Sequence, residues 1–228
     1  MQSFSEPLTG LFTQSRNMIL DFANIPQATP KSENIAQYFR DLEASGQNPR
    51  QAQYRQAFND RLISRYGCRY LVSSFGEDRK SMLEGSAIAL QGRTIHLGID
   101  IFATDLETVF APCDGTIVRT GREQEAHSFG NYLIFRPNHT DLPLLFFGHL
   151  GFNLPPTGYV KQGEPIGVLG DFRDNENGGW SRHLHLQCLR DMPKKDEVPI
   201  GYGSLKRLPE LFDKYPDPMK YFNNWNIR

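Results

Sequence analysis

The sequence predicts a mainly β protein with a helical N-terminal segment, an α+β chain of 228 residues. Apolar residues recur at helical spacing in the first part of the chain and again after residue 204. Between these stretches, short β-branched and aromatic runs are separated by Gly, Pro, Asn and Asp, which is typical of antiparallel strands. We therefore expect a helical segment at 1–69, a β-rich core at 70–200, and a C-terminal helix and tail at 201–228.

Two amphipathic helices are predicted in the N-terminal segment. The first extends from a cap at Ser32 to a stop at Gly46. The second begins at Asn48 and Pro49 and ends at Gly67. The apolar faces of the two helices are Ile35, Tyr38, Phe39 and Leu42, and Tyr54, Phe58 and Leu62.

The strands of the core are predicted from a series of apolar runs bounded by turn residues. These runs are YLVSSF, TIHLGIDIF, GTIVRTG, NYLIFRP, LLFFGHL, PIGVLG and HLHLQCL. The aperiodic stretch 170–181 reads as a surface loop. One short helix with Leu205, Leu208 and Phe212 follows Ser204.

Composition narrows the class of protein. Lys plus Arg total 25 against 26 for Asp plus Glu, so bulk charge favours neither nucleic acid nor a membrane surface as partner. The three cysteines, Cys68, Cys113 and Cys188, lack CxxC spacing and indicate buried free thiols rather than disulfides. No signal peptide or membrane span is evident, which predicts a cytoplasmic protein, or a periplasmic or extracellular one if an export route lies outside the sequence.

The run HLHLQCL carries the first candidate site. Side chains alternate along a strand, so His183 and His185 share one face while Leu184 and Leu186 occupy the other. Two imidazoles on one face must each be paired or hydrated, which favours a functional role over a structural one.

The run TIHLGIDIF repeats this design. As one strand it places His96, Gly98 and Asp100 on one face and Leu97, Ile99 and Ile101 on the other. His149 follows a glycine at the end of a third run, whereas His127 and His139 lie in predicted turns and read as surface residues. Imidazole with one carboxylate is a common zinc ligand set that leaves one coordination position for water. The same donors could also bind manganese or cobalt.

Other site types lack their motifs. The sequence contains no HExxH, GxxxxGK[ST] or GxSxG. A cupin-type HxH site is disfavoured because QCLRDM, with no glutamate, follows the histidine pair.

The ordered segments GRTIHLGIDIF, APCDGTIV, GNYLIF, FFGHL, VKQGEPIGVLG and RHLHLQ resemble the lysostaphin-type zinc metallopeptidases. The resemblance covers about residues 92 to 190. It implies a compact antiparallel β peptidase core with a narrow groove, and cleavage of peptide bonds in peptidoglycan-like cell-wall peptides.

The resemblance also implies roles for five residues. The family's metal ligands fall on His96, Asp100 and His185, which would bind one Zn²⁺ per chain. Its catalytic histidines fall on His149 and His183, which would assist a zinc-activated water; the general base is not assigned between them.

The sequence departs from the family pattern at two places. Trp180, Ser181 and Arg182 precede the HxH run where small residues are usual, which bears on the shape of the groove. Gln187 stands where the family often has glutamate, so we expect weaker zinc binding than in a Gln187→Glu variant.

The leading hypothesis is thus a zinc metallopeptidase whose substrate is a peptide or peptidoglycan fragment. The alternative is a non-catalytic peptide- or glycan-binding module that keeps the fold and a metal. A third hypothesis is a metal-dependent hydrolase of a non-peptide amide. The N-terminal helices could cover the groove or support it from elsewhere, and the pattern does not choose between these.

Overall fold

An eight-stranded sheet is the centre of the fold in the computed structural model, which describes residues 17–20, 35–48, 51–67 and 69–221. The strands are β1 (Asn17–Leu20), β2 (Tyr70–Ser73), β3 (Arg93–His96), β4 (Ile99–Ala103), β5 (Thr108–Phe110), β6 (Gly115–Arg122), β7 (Asn131–Pro137), β8 (Leu144–Leu150), β9 (Gly158–Val160), β10 (Pro165–Val168), β11 (His183–Leu189) and β12 (Tyr202–Ser204).

The order across the large sheet is β1-β2-β4-β11-β8-β7-β6-β9. The pair β1 and β2 is parallel, and the other neighbours are antiparallel. Two small antiparallel sheets pair β10 with β5 and β12 with β3. Strand β11 therefore lies in the middle of the large sheet, between β4 and β8.

Helices are short and lie mostly toward the ends of the described chain. They are α1 (Ile35–Ala44), α2 (Ala52–Tyr66), α3 (Lys80–Leu83), α4 (Ala87–Leu90), α5 (Leu208–Lys214) and the 3₁₀ helices Leu205–Arg207 and Pro218–Lys220. The predicted fold class, mainly antiparallel β with an N-terminal helical segment, is confirmed. Strand β1 lies in the same segment, ahead of α1, and was not predicted. A strand of four residues is too short to be recognised from periodicity.

Apolar side chains cover the sheet in two clusters. One contains Leu184, Leu186 and Cys188 of β11, each with no exposed surface. The other contains Leu97 and Phe146. The predicted alternation in HLHLQCL is confirmed, because the leucines enter the core while the intervening side chains face the other way.

The second predicted helix begins later than expected. Helix α2 has Gln51 as its N-cap, because Asn48 accepts a hydrogen bond from the Gln51 N–H and forms a separate turn before the helix. Its predicted end is right: Gly67 adopts a φ of 57° and its N–H bonds to Ile63 and Ser64. Tyr54 is half-buried, and Phe58 and Leu62 are buried as expected, whereas Ser32 and Pro49 lie outside the described residues.

The C-terminal helix also differs from its predicted face. Leu205 belongs to the 3₁₀ turn and is 59% exposed, while Leu211 of α5 is buried. The change from a 3₁₀ turn to an α-helix before Pro209 rotates the helical face, which simple 3.6-residue spacing cannot anticipate.

The run TIHLGIDIF is two strands, so the prediction of one continuous strand is wrong. Strand β3 ends at His96 and pairs with β12, and β4 begins at Ile99 and pairs with β2 and β11. Leu97 consequently packs in a different cluster from Ile99 and Ile101. The chain switches sheets at Leu97, whose N–H donates to the Gly201 carbonyl.

The stretch 170–181 is a loop, as predicted, but it is not confined to the surface. Asp171, Asn177 and Ser181 are buried, and the Asn177 amide donates to the carbonyls of Gly170 and Trp180. These internal bonds let an aperiodic segment pack beneath the surface.

The remaining predictions concern exposure. His127 and His139 are exposed in turns, Cys188 is buried and Cys113 half-buried, both as free thiols; Cys68 lies outside the described residues. No helix within the described ranges is long and apolar enough to cross a membrane.

Candidate metal centre and cleft

Three buried side chains bring their ligand atoms to one point. His96 Nε2 lies 3.3 Å from Asp100 Oδ1, and His185 Nδ1 lies 2.9 Å from the same oxygen. The two imidazole nitrogens are 3.1 Å apart. His96, Asp100 and His185 could therefore hold a metal ion together.

Strand register places two of these side chains side by side. His185 pairs with Asp100 of β4 on one side and with Gly148 of β8 on the other. His96 comes from the end of β3, and the change of sheet after it directs the backbone so that its ring meets that of His185, with centroids 5.0 Å apart. Two strands and one sheet junction thus build the site.

Gly98 is required by this close approach. A Cβ atom at position 98 would lie 2.7 Å from His185 Cε1 and 2.7 Å from the Leu186 carbonyl oxygen. One neighbour is backbone, so a side chain here would force the strands apart. The glycine lets the chain pass directly over the His185 ring.

The environment sets the charge of His96 and Asp100. Burial lowers the pKa of His96 to about 3, and Arg79 adds to this effect. Burial alone would raise the pKa of Asp100, but His96 and Arg79 hold it well below its usual range. A neutral imidazole and an ionised carboxylate are the forms that bind a metal.

Gln187 orients the His185 ring. Its Oε1 lies 3.0 Å from His185 Nε2, and its own Nε2 donates to the Ile200 carbonyl at 3.2 Å. The bond to Ile200 fixes which end of the amide faces the histidine. Because an amide oxygen can only accept, His185 Nε2 carries the proton in this contact. The lone pair of Nδ1 is then free for a metal ion held together with Asp100 and His96.

His149 and His183 lie beside these donors, with their ring centroids 4.2 Å apart. His149 Nδ1 lies 2.8 Å from the Asn177 carbonyl oxygen, and His183 Nδ1 lies 2.7 Å from that of Ser181. Both carbonyls accept, so each ring is protonated at Nδ1 and keeps a lone pair at Nε2. Burial lowers the pKa of both rings, which favours the neutral form.

The position of His149 depends on an unusual backbone conformation. His149 has a φ of 63°, and its N–H donates to the Phe129 carbonyl at 2.8 Å. A non-glycine residue in this region is strained unless its surroundings hold it. Two hydrogen bonds stabilise this conformation, one from the backbone N–H and one from the imidazole Nδ1 of His149.

These side chains form the floor of an open cleft of about 240 Å³. Aromatic groups dominate one side, where the Phe129 ring centroid lies 4.9 Å from that of His185 and Trp180 lies 6.3 Å from His149. Arg55 and Asn59 of α2 contribute to another side. The predicted groove is therefore present, and the donor atoms are reached from it.

Residues 94–198 match the family model described as Peptidase family M23. This part of the chain is thus similar to that peptidase family. The matched range includes all five residues predicted from the sequence, together with the cleft residues from Phe129 to Trp180. It excludes α2 and Arg79.

Solved structures in this comparison include several peptidases. The catalytic domain of lysostaphin from Staphylococcus simulans is 24% identical over 52% of this chain and 80% of that one, with a TM-score of 0.37. A zinc-containing peptidase from Vibrio cholerae is 26% identical over 46% of this chain and 32% of that one, with a TM-score of 0.35. A putative glycyl-glycine endopeptidase from Ruminococcus gnavus is 14% identical over 90% and 86%, with a TM-score of 0.37. The search of curated proteins finds no match.

Two further residues support the candidate metal ligands and were not predicted. Arg79 is buried and donates from Nη1 to Asp100 Oδ2 at 2.6 Å and to the Tyr202 hydroxyl at 3.2 Å. Its Nε donates to Glu77. In the sequence Arg79 stands in a charged turn and Tyr202 in the segment predicted as a tail, so neither carries a local signal.

His127 is exposed, as predicted, but it also lies at the cleft. Its ring centroid is 5.0 Å from that of Trp180, whose Nε1 donates to the Ser128 carbonyl at 3.2 Å. The bulky Trp180, which replaces the small residue expected from the family pattern, is thus held in place as part of the cleft wall.

Proposed function

We propose that the protein is a zinc-dependent metallopeptidase that hydrolyses peptide bonds, with peptidoglycan-like cell-wall peptides as its substrate class. The observation that carries the proposal is the convergence of His96, Asp100 and His185 beside two histidines whose Nε2 lone pairs are available. The match of residues 94–198 to the model of Peptidase family M23 supports the same reaction class.

Zinc fits the three donors. A tetrahedral site with zinc bonds of about 2.0–2.1 Å places its ligand atoms about 3.3 Å apart. The observed separations of 2.9, 3.1 and 3.3 Å require little adjustment. A bound zinc ion would supply a Lewis acid that polarises the substrate carbonyl and lowers the pKa of water.

The neighbouring histidines supply proton transfer. His149 and His183 each hold a lone pair at Nε2, so either can accept a proton from the attacking water. Once protonated, the same ring can donate to the leaving amine or to the developing oxyanion. His183 Nε2 lies 3.7 Å from Asp100 Oδ1, within range of a charge that stabilises its protonated form.

The cleft supports a peptide as substrate. It is open, and its walls combine aromatic rings with hydrogen-bonding side chains, as expected of a site that holds an extended chain. Phe129 and Trp180 limit the bulk of side chains near the metal centre. The predicted cytoplasmic location belongs to this proposal too, and would make soluble muropeptides rather than intact cell wall the substrate.

The test uses the zinc-loaded protein with a panel of soluble muropeptides, oligoglycine and unrelated peptides, with products identified by mass spectrometry. We expect cleavage of a wall peptide and a loss of about 10²- to 10⁴-fold in kcat for His149→Ala and for His183→Ala. Both variants should retain zinc. His139→Ala is the matched control, because His139 is exposed and is not among the residues that line the cleft.

Two results would contradict the proposal. Zinc binding without cleavage of any peptide, but with peptide or glycan binding, would support the non-catalytic module instead. Cleavage of a non-peptide amide, without cleavage of any peptide, would support the third hypothesis, a metal-dependent amide hydrolase.

A further inference from the structure

We propose that helix α2 is a wall of the substrate cleft, and that the side-chain amide of Asn59 binds the main chain of the peptide substrate. The inference rests on the proposed function and extends the site to a helix outside the residues that match the family model.

Helix α2 is fixed to the strands that carry the metal centre. Gln56 is 4% exposed, its Nε2 donates to the Ala103 carbonyl at 3.0 Å, and its Oε1 accepts from the Arg182 N–H at 2.6 Å. Ala103 ends the strand of Asp100, and Arg182 immediately precedes His183. The buried side chain of Gln56 thus fixes the position of the helix relative to both strands.

Asn59 lies one turn along from Arg55 on the side of α2 that lines the cleft. It is 3% exposed, yet within the described ranges its side-chain amide makes no hydrogen bond. Its oxygen and nitrogen are not among the fully enclosed side-chain atoms that lack a partner, so the amide opens onto the cleft that Asn59 lines. A buried residue that turns an unpaired amide toward a cleft points to a partner supplied by a ligand.

A peptide main chain is the ligand that suits this group. An asparagine side chain offers one acceptor and two donors and carries no charge, which matches the C=O and N–H of a peptide unit. An anion would be met by donors alone, and a cation by acceptors alone. Asn59 can therefore pair with main chain whatever the neighbouring side chains of the substrate are.

Arg55 connects this wall to the loop that carries Trp180. Its guanidinium lies 5.3 Å from the centre of the Trp180 ring, which belongs to the loop before β11. Helix and loop therefore meet at the lining of the cleft. A peptide lying over His149 and His183 would pass between Trp180 and Asn59.

The test compares wild type with Asn59→Leu, which keeps the volume and removes both polar atoms, and with Asn59→Ala. Gln53→Ala, on the exposed side of the same helix, is the matched control. Steady-state cleavage is measured with soluble muropeptides and pentaglycine, binding of both is measured by calorimetry, and zinc affinity by competition titration.

We expect KM for the cleaved peptide to rise about tenfold in both Asn59 variants, the loss expected for one hydrogen bond pairing. The zinc affinity and the Gln53→Ala kinetics should be unchanged. Unchanged KM in the Asn59 variants would overturn the inference and leave the proposed function intact. Lost zinc affinity would also overturn it, by assigning Asn59 to the metal centre. A wild type that neither binds nor cleaves either probe would overturn both proposals.

Discussion

Arg79 Nη1 lies 2.6 Å from one oxygen of Asp100, while the other oxygen of that carboxylate faces the imidazoles of His96 and His185. The two oxygens of Asp100 therefore have separate partners. Because Arg79 is itself held by Glu77 and by the Tyr202 hydroxyl, the carboxylate cannot rotate freely. Arg79 thus positions a candidate metal ligand without being one of the three donors itself.

Replacing Arg79 should weaken metal binding. Arg79→Lys keeps the charge but loses the fork that contacts Asp100 and Glu77 together, so we expect zinc affinity to fall about 10- to 100-fold. A competition titration with a chelator of known affinity measures this. Arg69→Lys, in the more exposed pair with Glu107, is the control. Equal zinc affinity in wild type and Arg79→Lys would show that Arg79 serves folding only.

Replacing Gln187 with glutamate should strengthen metal binding. The carboxylate would accept from His185 Nε2 as Gln187 does, and its charge would make the ligating nitrogen more basic. It would also lose the donor to the Ile200 carbonyl, at a cost of about 1–3 kcal/mol in the stability of the metal-free protein. Zinc titration and urea unfolding of the metal-free protein measure the two effects. Equal zinc affinities would reject the role assigned to Gln187.

Adding a methyl group at Gly98 should disrupt the centre. The new Cβ would fall 2.7 Å from both the His185 ring and a backbone oxygen, so β4 and β11 would have to separate. We expect Gly98→Ala to lose most of its bound zinc and about 1–3 kcal/mol of stability. The control is Gly151→Ala, whose Cβ would meet its nearest neighbours at ordinary distances of 3.6–3.8 Å. Full zinc occupancy in Gly98→Ala would contradict the packing described.

Asp171 should make stability depend on pH. Hydrogen bonds from Arg173, with a further contribution from Arg182, hold the pKa of the Asp171 carboxyl well below its usual range. A depressed folded-state pKa stabilises the protein above the unfolded pKa of about 3.9, and the contribution disappears as pH falls toward the folded value. The difference in unfolding free energy between wild type and Asp171→Asn should therefore be largest near pH 7 and shrink below about pH 4.

Urea unfolding at a series of pH values measures that difference. Asp213→Asn, at an exposed pair with Arg190, is the control and should change stability little. A difference for Asp171→Asn that stays constant from pH 7 to pH 3 would show that the ion pairs of Asp171 contribute nothing.

The sequence predicted the features that depend only on residues close together in the chain. Alternation in HLHLQCL placed His183 and His185 opposite the core leucines, and Gly67 marked the end of α2. The convergence of His96 and Asp100 followed from their spacing, although the continuous strand on which it was based was wrong. Their side chains meet because the chain changes sheets at Leu97 rather than because of strand alternation.

Contacts between distant segments could not be predicted in this way. Arg79 reaches Asp100 across 21 residues, and Gln56 reaches Arg182 across 126. Neither residue stands in a pattern that distinguishes it from a surface residue, since its burial depends on tertiary packing. The helical wall of the cleft is therefore visible only once α2 is docked on the sheet.

The most direct test of the account is the zinc content of the purified protein after zinc loading and desalting, measured by mass spectrometry beside His185→Ala. We predict about one zinc ion per wild-type chain and almost none in the variant. Absence of bound zinc from the folded wild-type protein, or equal content in both proteins, would contradict a metal centre formed by His96, Asp100 and His185.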